Sequence, residues 1–228
     1  MDPLHLCIAL SPLAIYAAAL GSVHSRRRPH LVTGFRDNVA LGLGILGFVI
    51  AGPMELFYPD SVPAWYGPAI PGGIGDWLGV AVWSLLISLY LLCVIWLALS
   101  ARPRLVIYNL SRNQFWSVLK HVVNKLDSQS QLVGDMFTIP NLGVQANIET
   151  VGPMRCVQLK SVGEQQDVEG WRQLKLALTE RLKSERSARN PGAIPLFVLA
   201  GASMLLMLSA LLRGGQHVQQ ALIEMLRL

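Results

Sequence analysis

The sequence predicts a membrane α-helical protein with four transmembrane helices and an inserted two-layer α+β soluble domain of order β-α-β-β-β-α. The chain of 228 residues is 52% hydrophobic and only 14% charged, whereas average soluble chains carry roughly 25% charged residues. It contains four long apolar runs, and between the third and the fourth its pattern becomes that of a small globular domain. Part of this chain is therefore expected to face lipid.

The four apolar runs cover residues 4–23, 38–58, 77–100 and 193–212. A helix needs about 20 mostly apolar residues to cross the hydrocarbon core of a bilayer. We interpret residues 1–100 as a region of three spans, 101–190 as the soluble domain, and 191–228 as the fourth span with a short amphipathic tail. The first run is followed by arginines rather than preceded by them, which favours a retained span over a cleaved signal peptide.

Arginines orient the predicted spans. The first connection contains Arg26, Arg27, Arg28 and Arg36, whereas residues 59–76 contain no Lys or Arg. The positive-inside rule then predicts a plasma or bacterial inner membrane protein with both termini outside and the soluble domain in the cytoplasm. We interpret the four arginines as topology signals that also contact lipid headgroups, so that the bilayer is the first expected partner.

Small residues repeat along the second span. Ala40, Gly44, Gly47 and Ala51 are spaced by four, three and four positions, which places them on one helical face. Such faces allow close approach of two helices. Packing within the chain is the favoured interpretation, and a homo-oligomer is the alternative. Gly42, Gly44 and Gly47 match the letters of a dinucleotide-binding fingerprint, but they do not follow a strand, so no cofactor is predicted.

The soluble domain is predicted from alternation and capping. Strands are expected at residues 104–109, 135–139, 144–149 and 154–162, the third of which alternates apolar and polar residues. One helix is expected after Ser111, which forms a capping-box pattern with Gln114, and another after Asp167. Strands joined by short turns pair antiparallel, with both helices on one face. The domain could bind a protein partner.

No recognisable catalytic or metal motif occurs in the sequence. Cys7, Cys93 and Cys156 form no CxxC pair, which gives no sign of a disulfide or a zinc site. No two of the five histidines share metal-ligand spacing. The domain's aromatic residues mostly fall on apolar faces, so nucleic acid is not an expected partner.

Glu55 is the one functional candidate, because an ionisable residue within a predicted span is a candidate by default. It could instead reach interfacial water near the end of the helix. The leading hypothesis is a non-enzymatic interaction, assembly or regulatory protein. The alternative is a small transport or channel component that works as an oligomer or with other subunits, and a third is an enzyme using Glu55, Asp60, Tyr66 and Asp76 at the outer loop.

Overall fold

The computed structural model describes residues 3–57, 74–163, 166–188 and 190–213. These residues form six α-helices: α1 Pro3–Ser25, α2 Gly34–Phe57, α3 Ile74–Ser100, α4 Arg112–Leu126, α5 Val168–Lys183 and α6 Ala193–Arg213. They also form six strands: β1 His30–Thr33, β2 Arg104–Tyr108, β3 Gln131–Val133, β4 Met136–Ile139, β5 Val144–Val151 and β6 Cys156–Ser161. Most of the predicted outer loop and the predicted C-terminal tail lie outside the described residues.

The chain divides into two compact units. The helical unit contains Met1–Ala18, Ala40–Trp96 and Phe197–Leu228, and the sheet unit contains Ala19–Val39 and Leu97–Leu196. The four long helices α1, α2, α3 and α6 are each long and apolar enough to cross a membrane, as the sequence predicted. Helix α2 begins earlier than expected, at Gly34, and the negative charge of Asp37 in its first turn interacts favourably with the positive end of the helix dipole.

In the helical unit, α2 contacts both α1 and α3. A Cβ atom on Gly47 would lie 2.4 Å from the carbonyl oxygen of Ala9, so only glycine permits this approach of α1. On the α3 side, Tyr90 donates a hydrogen bond of 2.8 Å to the carbonyl of Gly42. The glycines of α2 therefore lie at helix contacts, which is also where the apparent dinucleotide fingerprint falls.

The sheet unit has one antiparallel sheet with strand order β1-β2-β6-β5-β4-β3. Strands β3 to β6 follow one another as a meander, and β2 lies beside β6. The predicted antiparallel sheet is thus confirmed, and the four predicted strands correspond to β2, β4, β5 and β6. Their alternating apolar residues face helices α4 and α5 in one core, which includes Phe115, Phe137, Leu159 and Leu174.

Two strands correct the predicted order. Strand β1 comes from the arginine-containing connection and pairs with β2, with Leu31 opposite Ile107. Strand β3 forms a hairpin with β4 through Gly134, whose φ of 59° suits glycine. Both strands are short, at four and three residues, so neither has a readable alternation of its own. The sheet unit accordingly recruits residues well before the predicted boundary at 101.

Capping fixes the starts of the two amphipathic helices. Gln114 Oε1 accepts hydrogen bonds from the backbone N–H and the hydroxyl of Ser111, at 3.4 and 3.0 Å. Asp167 accepts from the backbone N–H groups of Glu169 and Gly170, at 3.0 and 3.2 Å. These bonds satisfy donors that the first turn of a helix leaves unpaired, so both helices begin where the sequence predicted.

Candidate functional site

The second face of the sheet, opposite α4 and α5, carries a polar cluster. The first turns of α2, which belong to the same unit, bring Asp37 and Asn38 to the side chains of β2. Arg104 donates from Nη2 to Asp37 at 3.1 Å and to Asn38 at 2.9 Å. Tyr108 donates its hydroxyl proton to the other carboxylate oxygen of Asp37 at 2.6 Å. One carboxylate is thus shared between a guanidinium and a phenol, which fixes both side chains.

Cys156 begins β6 close to this cluster and is 5% exposed. Burial raises the pKa of its thiol to about 12, and the negative charge of Asp37 acts in the same direction while Arg104 opposes it. A thiol must lose its proton to act as a nucleophile or a metal ligand. At neutral pH, Cys156 is therefore an inert core residue.

A second polar cluster, the asparagine corner, consists of the buried residues Asn109 and Asn190. Asn109 Nδ2 donates to the carbonyls of Val23 and Arg26, at 2.6 and 3.1 Å. Asn190 Nδ2 donates to Asn109 Oδ1 at 3.0 Å and to the carbonyl of Met154 at 2.7 Å. The corner therefore joins the end of α1, the end of β2, the turn before β6 and the segment that leads into α6.

The backbone of the asparagine corner explains the residue type. Asn109 has a φ of 63°, in the left-handed region that asparagine tolerates better than most residues. Asn190 Oδ1 also accepts a hydrogen bond of 3.0 Å from the N–H of Gly192. An asparagine supplies both donors and an acceptor, so this position uses both ends of the amide.

His24 lies fully buried at the end of α1. Its Nδ1 is 2.9 Å from the carbonyl oxygen of Leu20, which can only accept, so Nδ1 carries the proton. The ring meets that of Tyr108 edge-on, with centroids 5.2 Å apart. His24 Nε2 has no hydrogen-bond partner within the described part of the chain. The ring is thus held by packing and by one hydrogen bond.

A cavity of about 230 Å³, the basic cavity, lies at the end of β2 and β6. It is lined by Asn38, Ala101, Arg102, Pro103, Arg104, Lys160 and Ser161. Lys160 Nζ forms an ion pair of 2.5 Å with Glu149 Oε2. The buried hydroxyl of Ser161 has no hydrogen-bond partner among the described residues. Three cationic residues therefore line this space, and two of them, Arg104 and Lys160, are paired with the carboxylates of Asp37 and Glu149.

The helix side of the sheet unit offers two open grooves. One, of about 520 Å³, is lined by Trp116, Ser117, Lys120 and Leu132, beside the 73% exposed side chain of Val133 on edge strand β3. The other, of about 400 Å³, lies between α4 and α5. The first of these exposes an aromatic ring and a strand edge, features typical of protein contacts.

The predicted site residues differ in their position and exposure. Arg26, Arg27 and Arg28 are exposed between α1 and β1, and Arg36 is exposed in the first turn of α2. On α2, Gly44, Gly47 and Ala51 are buried, whereas Ala40 is exposed and lies outside the buried face. Glu55 is within α2, but its side chain is outside the described residues. The roles proposed for the arginines and Glu55 stay predictions.

Sequence reasoning missed the asparagine corner. The pattern predicted Asn109 only as the last residue of a strand, although an asparagine two residues before the N-cap Ser111 is a turn signal. Asn190 was predicted only as the last residue of the soluble domain. Nothing local pairs these two residues, since 81 positions separate them.

Comparisons with known proteins found no matching family model, curated protein or solved structure. Within the described residues, no group of three His, Cys, Asp or Glu side chains is arranged to hold a metal ion. The asparagine corner, the Arg104–Asp37 cluster and the basic cavity are polar features of the sheet unit.

Proposed function

We propose that this chain is a multi-pass membrane protein that carries a small α+β domain on the cytoplasmic side as a non-enzymatic interaction, assembly or regulatory module. The observation that carries the proposal is the exposure of apolar side chains along the long helices. In α3, Leu85 is 67% and Trp96 is 72% exposed, and in α6 Leu212 is 76% exposed. Contiguous apolar surface of this extent is rare on soluble monomers and is favourable in lipid.

Helix length supports the same proposal. Helix α3 has 27 residues, which corresponds to a length of about 40 Å, more than the roughly 30 Å of a hydrocarbon core. The terminal residues can then extend into the headgroup region, where aromatic and polar side chains are favourable.

The pairing of β1 with β2 supports the predicted topology. Strand β1 lies in the connection between α1 and α2, and β2 follows α3. Two segments in one sheet lie on the same side of a membrane, so the arginine-containing connection and the sheet unit share a side. By the positive-inside rule, that side is the cytoplasm.

The asparagine corner supports a stably folded sheet unit that includes the end of α1 and the segment before α6. It binds the end of α1 and the segment before α6 to the sheet unit through buried hydrogen bonds. A buried donor or acceptor that loses its partner costs about 1–3 kcal/mol, which opposes local detachment.

Cysteine labelling tests the membrane topology. In a Cys7→Ala/Cys93→Ala background, Ser128→Cys places a thiol on the exposed turn after α4, and Ser61→Cys places one in the predicted outer loop. A membrane-impermeant maleimide should label Ser61→Cys on intact cells and Ser128→Cys only after permeabilisation. Labelling of Ser128→Cys on intact cells would reverse the orientation.

Site-specific photo-crosslinking tests the interaction role in the full-length protein. A photoreactive residue at Val133 should give a discrete protein adduct, whereas the same residue at Arg172, on the exposed face of α5, should not. Equal adducts at both positions, or none at Val133, would contradict an interaction surface at this edge of the sheet.

A further inference from the structure

Strand β3 is the last strand of the sheet in the part of the chain that the structure describes. Its residues, Gln131, Leu132 and Val133, carry no charge, although edge strands are usually covered or charged, which prevents their pairing with other chains. Val133 is 73% exposed, and its neighbour Met136 on β4 is 48% exposed. This edge of the sheet therefore offers apolar side chains and an open strand to another chain.

The backbone hydrogen-bonding groups of Leu132 point away from the sheet. Val133 lies opposite Met136 across the two-residue turn of Gly134 and Asp135. Residues that flank such a turn exchange both backbone hydrogen bonds, and the next pair along an antiparallel ladder exchanges none. The N–H and C=O of Leu132 consequently face the open edge, where an added strand can pair with them.

A groove of about 520 Å³, the α4–β3 groove, follows this edge on the helix side and is lined by Trp116, Ser117, Lys120 and Leu132. Arg112, at the start of α4, forms an ion pair with Asp135, just after the end of β3. Helix α4 therefore runs antiparallel to β3, with Trp116 nearer to the end of the strand and Lys120 nearer to its start. A strand added antiparallel to β3 meets Trp116 first and Lys120 second.

The side chains of the α4–β3 groove define the chemistry of its occupant. Trp116 and Leu132 are partly buried against the core, so the apolar part of the groove favours an apolar side chain. Lys120 is exposed and has no ion-pair partner among the described residues, so a carboxylate beside it is favourable. Side chains two residues apart in a strand share a face, which places the apolar and the acidic residue of the occupant at i and i+2.

We infer that the α4–β3 groove binds an extended segment of another protein as an added antiparallel strand. The segment pairs with the backbone of Leu132, packs an apolar side chain beside Trp116 and places a carboxylate beside Lys120. Because β3 has only three residues, it supplies few hydrogen bonds, and the side-chain contacts in the groove supply the specificity. This inference rests on the proposed interaction role and names the chemistry of the partner.

Peptide binding to the purified full-length chain in detergent tests the inference. The probe is the acetylated and amidated peptide TVTVTET, in which two valines and the glutamate share one face, and TVTVTKT is its charge-reversed match. The wild type should bind TVTVTET more tightly by roughly threefold, since an exposed ion pair contributes modestly. Lys120→Glu should reverse that order. Lys125→Glu, at an exposed position of α4 outside this groove, is the matched control and should keep the wild-type order.

N-methylation of the peptide tests backbone pairing, because it removes an N–H donor and keeps the side chain. One version of TVTVTET is methylated at the valines and the glutamate, and the other is methylated at the threonines. Successive N–H groups of a strand point to opposite edges, so only one of the two sets faces β3. One version should therefore bind about tenfold more weakly or worse, and the other should retain most of the affinity. Hydrogen exchange at the amide of Leu132 should slow when unmethylated TVTVTET binds.

Several results would overturn the inference. Equal binding of the two methylated peptides would refute strand addition, and an unchanged order of affinities in Lys120→Glu would refute the acidic preference. A dimer of the chain that Val133→Lys dissociates would place a second copy at this edge instead. A discrete photo-crosslinked adduct at Val133 without binding of TVTVTET at about 1 mM would keep the interaction surface and refute strand addition. Binding of TVTVTET without an adduct would support strand addition and refute the proposed interaction role.

Discussion

Replacement of Asn190 by alanine should destabilise the sheet unit more than any matched surface substitution. The side chain of Asn190 is 4% exposed and takes part in three hydrogen bonds, to Asn109, Met154 and Gly192. With alanine at this position, all three partner groups lose the hydrogen bond that they make with the Asn190 side chain. Two of the three bonds, to Asn109 and Met154, join segments that are far apart in the chain, so local rearrangement cannot restore them.

The expected cost follows from those three bonds. Each contributes a net of about 0.5–1.5 kcal/mol, so Asn190→Ala should lower the free energy of unfolding by roughly 2–4 kcal/mol. For a unit on the order of 100 residues, each kcal/mol shifts the unfolding temperature by about 4–8 °C. The shift should therefore be about 8–30 °C.

Cys156 provides the assay. Its thiol is buried in the folded chain, so a thiol-reactive fluorophore in a Cys7→Ala/Cys93→Ala background reports unfolding of the sheet unit on heating. Asn124→Ala, on the exposed face of α4, is the matched control and should shift the transition by less than about 4 °C, because surface substitutions change stability by only about 0.5 kcal/mol. A shift in Asn190→Ala as small as that of the control would refute the structural role of the asparagine corner.

A double variant sharpens this test. Asn109→Gly keeps the left-handed backbone conformation accessible but removes the partner of Asn190. The cost of Asn109→Gly/Asn190→Ala should be about 1 kcal/mol smaller than the sum of the two single costs, since both remove the same hydrogen bond. Strict additivity would mean that the two asparagines do not interact.

Three further predictions concern close contacts and the buried thiol. A Cβ on Gly170 would lie 2.0 Å from the carbonyl oxygen of Leu142. Gly170→Ala should therefore lower the unfolding temperature by an amount equivalent to about 1–3 kcal/mol of unfolding free energy. An unchanged unfolding temperature would contradict that contact. Gly47→Val should reduce the yield of folded protein in size-exclusion chromatography, because Gly47 lies against α1. Gly201→Val is the control and should not reduce the yield, because no atom lies within 4 Å of its Cβ position. Equal yields of the two variants would contradict the α1–α2 contact. Burial raises the pKa of the Cys156 thiol from 9.0 in the unfolded chain to about 12 in the folded chain. Between these two pH values the unfolded chain binds fewer protons than the folded chain. The free energy of unfolding should therefore be unaffected by this thiol below about pH 9 and fall as the pH rises toward 12. A Cys156→Val variant should lack that fall in urea titrations, and a wild-type stability that stays flat over this range would contradict the burial of a protonated thiol.

Part of the candidate site could be predicted from the sequence. The positive charge of Arg102 and Arg104 beside the third span was evident from their position. Lys160 was predicted only as part of a strand, and nothing local indicated that it would line the same cavity as Arg102. Convergence at one cavity depends on β6 lying beside β2, a pairing between segments separated by α4 and three other strands.

The sequence by itself determined the features that arise within a few residues. Apolar runs determined the four long helices, the alternation of Val144, Ala146 and Ile148 determined β5, and Ser111 and Asp167 determined where α4 and α5 begin. Helix periodicity, strand alternation and capping are short-range interactions, so a single segment encodes them completely.

Only the tertiary structure decided which distant segments meet. Strand β1 has four residues and exists because β2 offers a partner edge, and Arg104 meets Asp37 across 67 positions of chain. Closing such long loops costs conformational entropy that no local pattern offsets. The burial and hydrogen bonds gained when the whole sheet unit forms offset that cost together, so these contacts belong to the assembled unit rather than to any segment of the sequence.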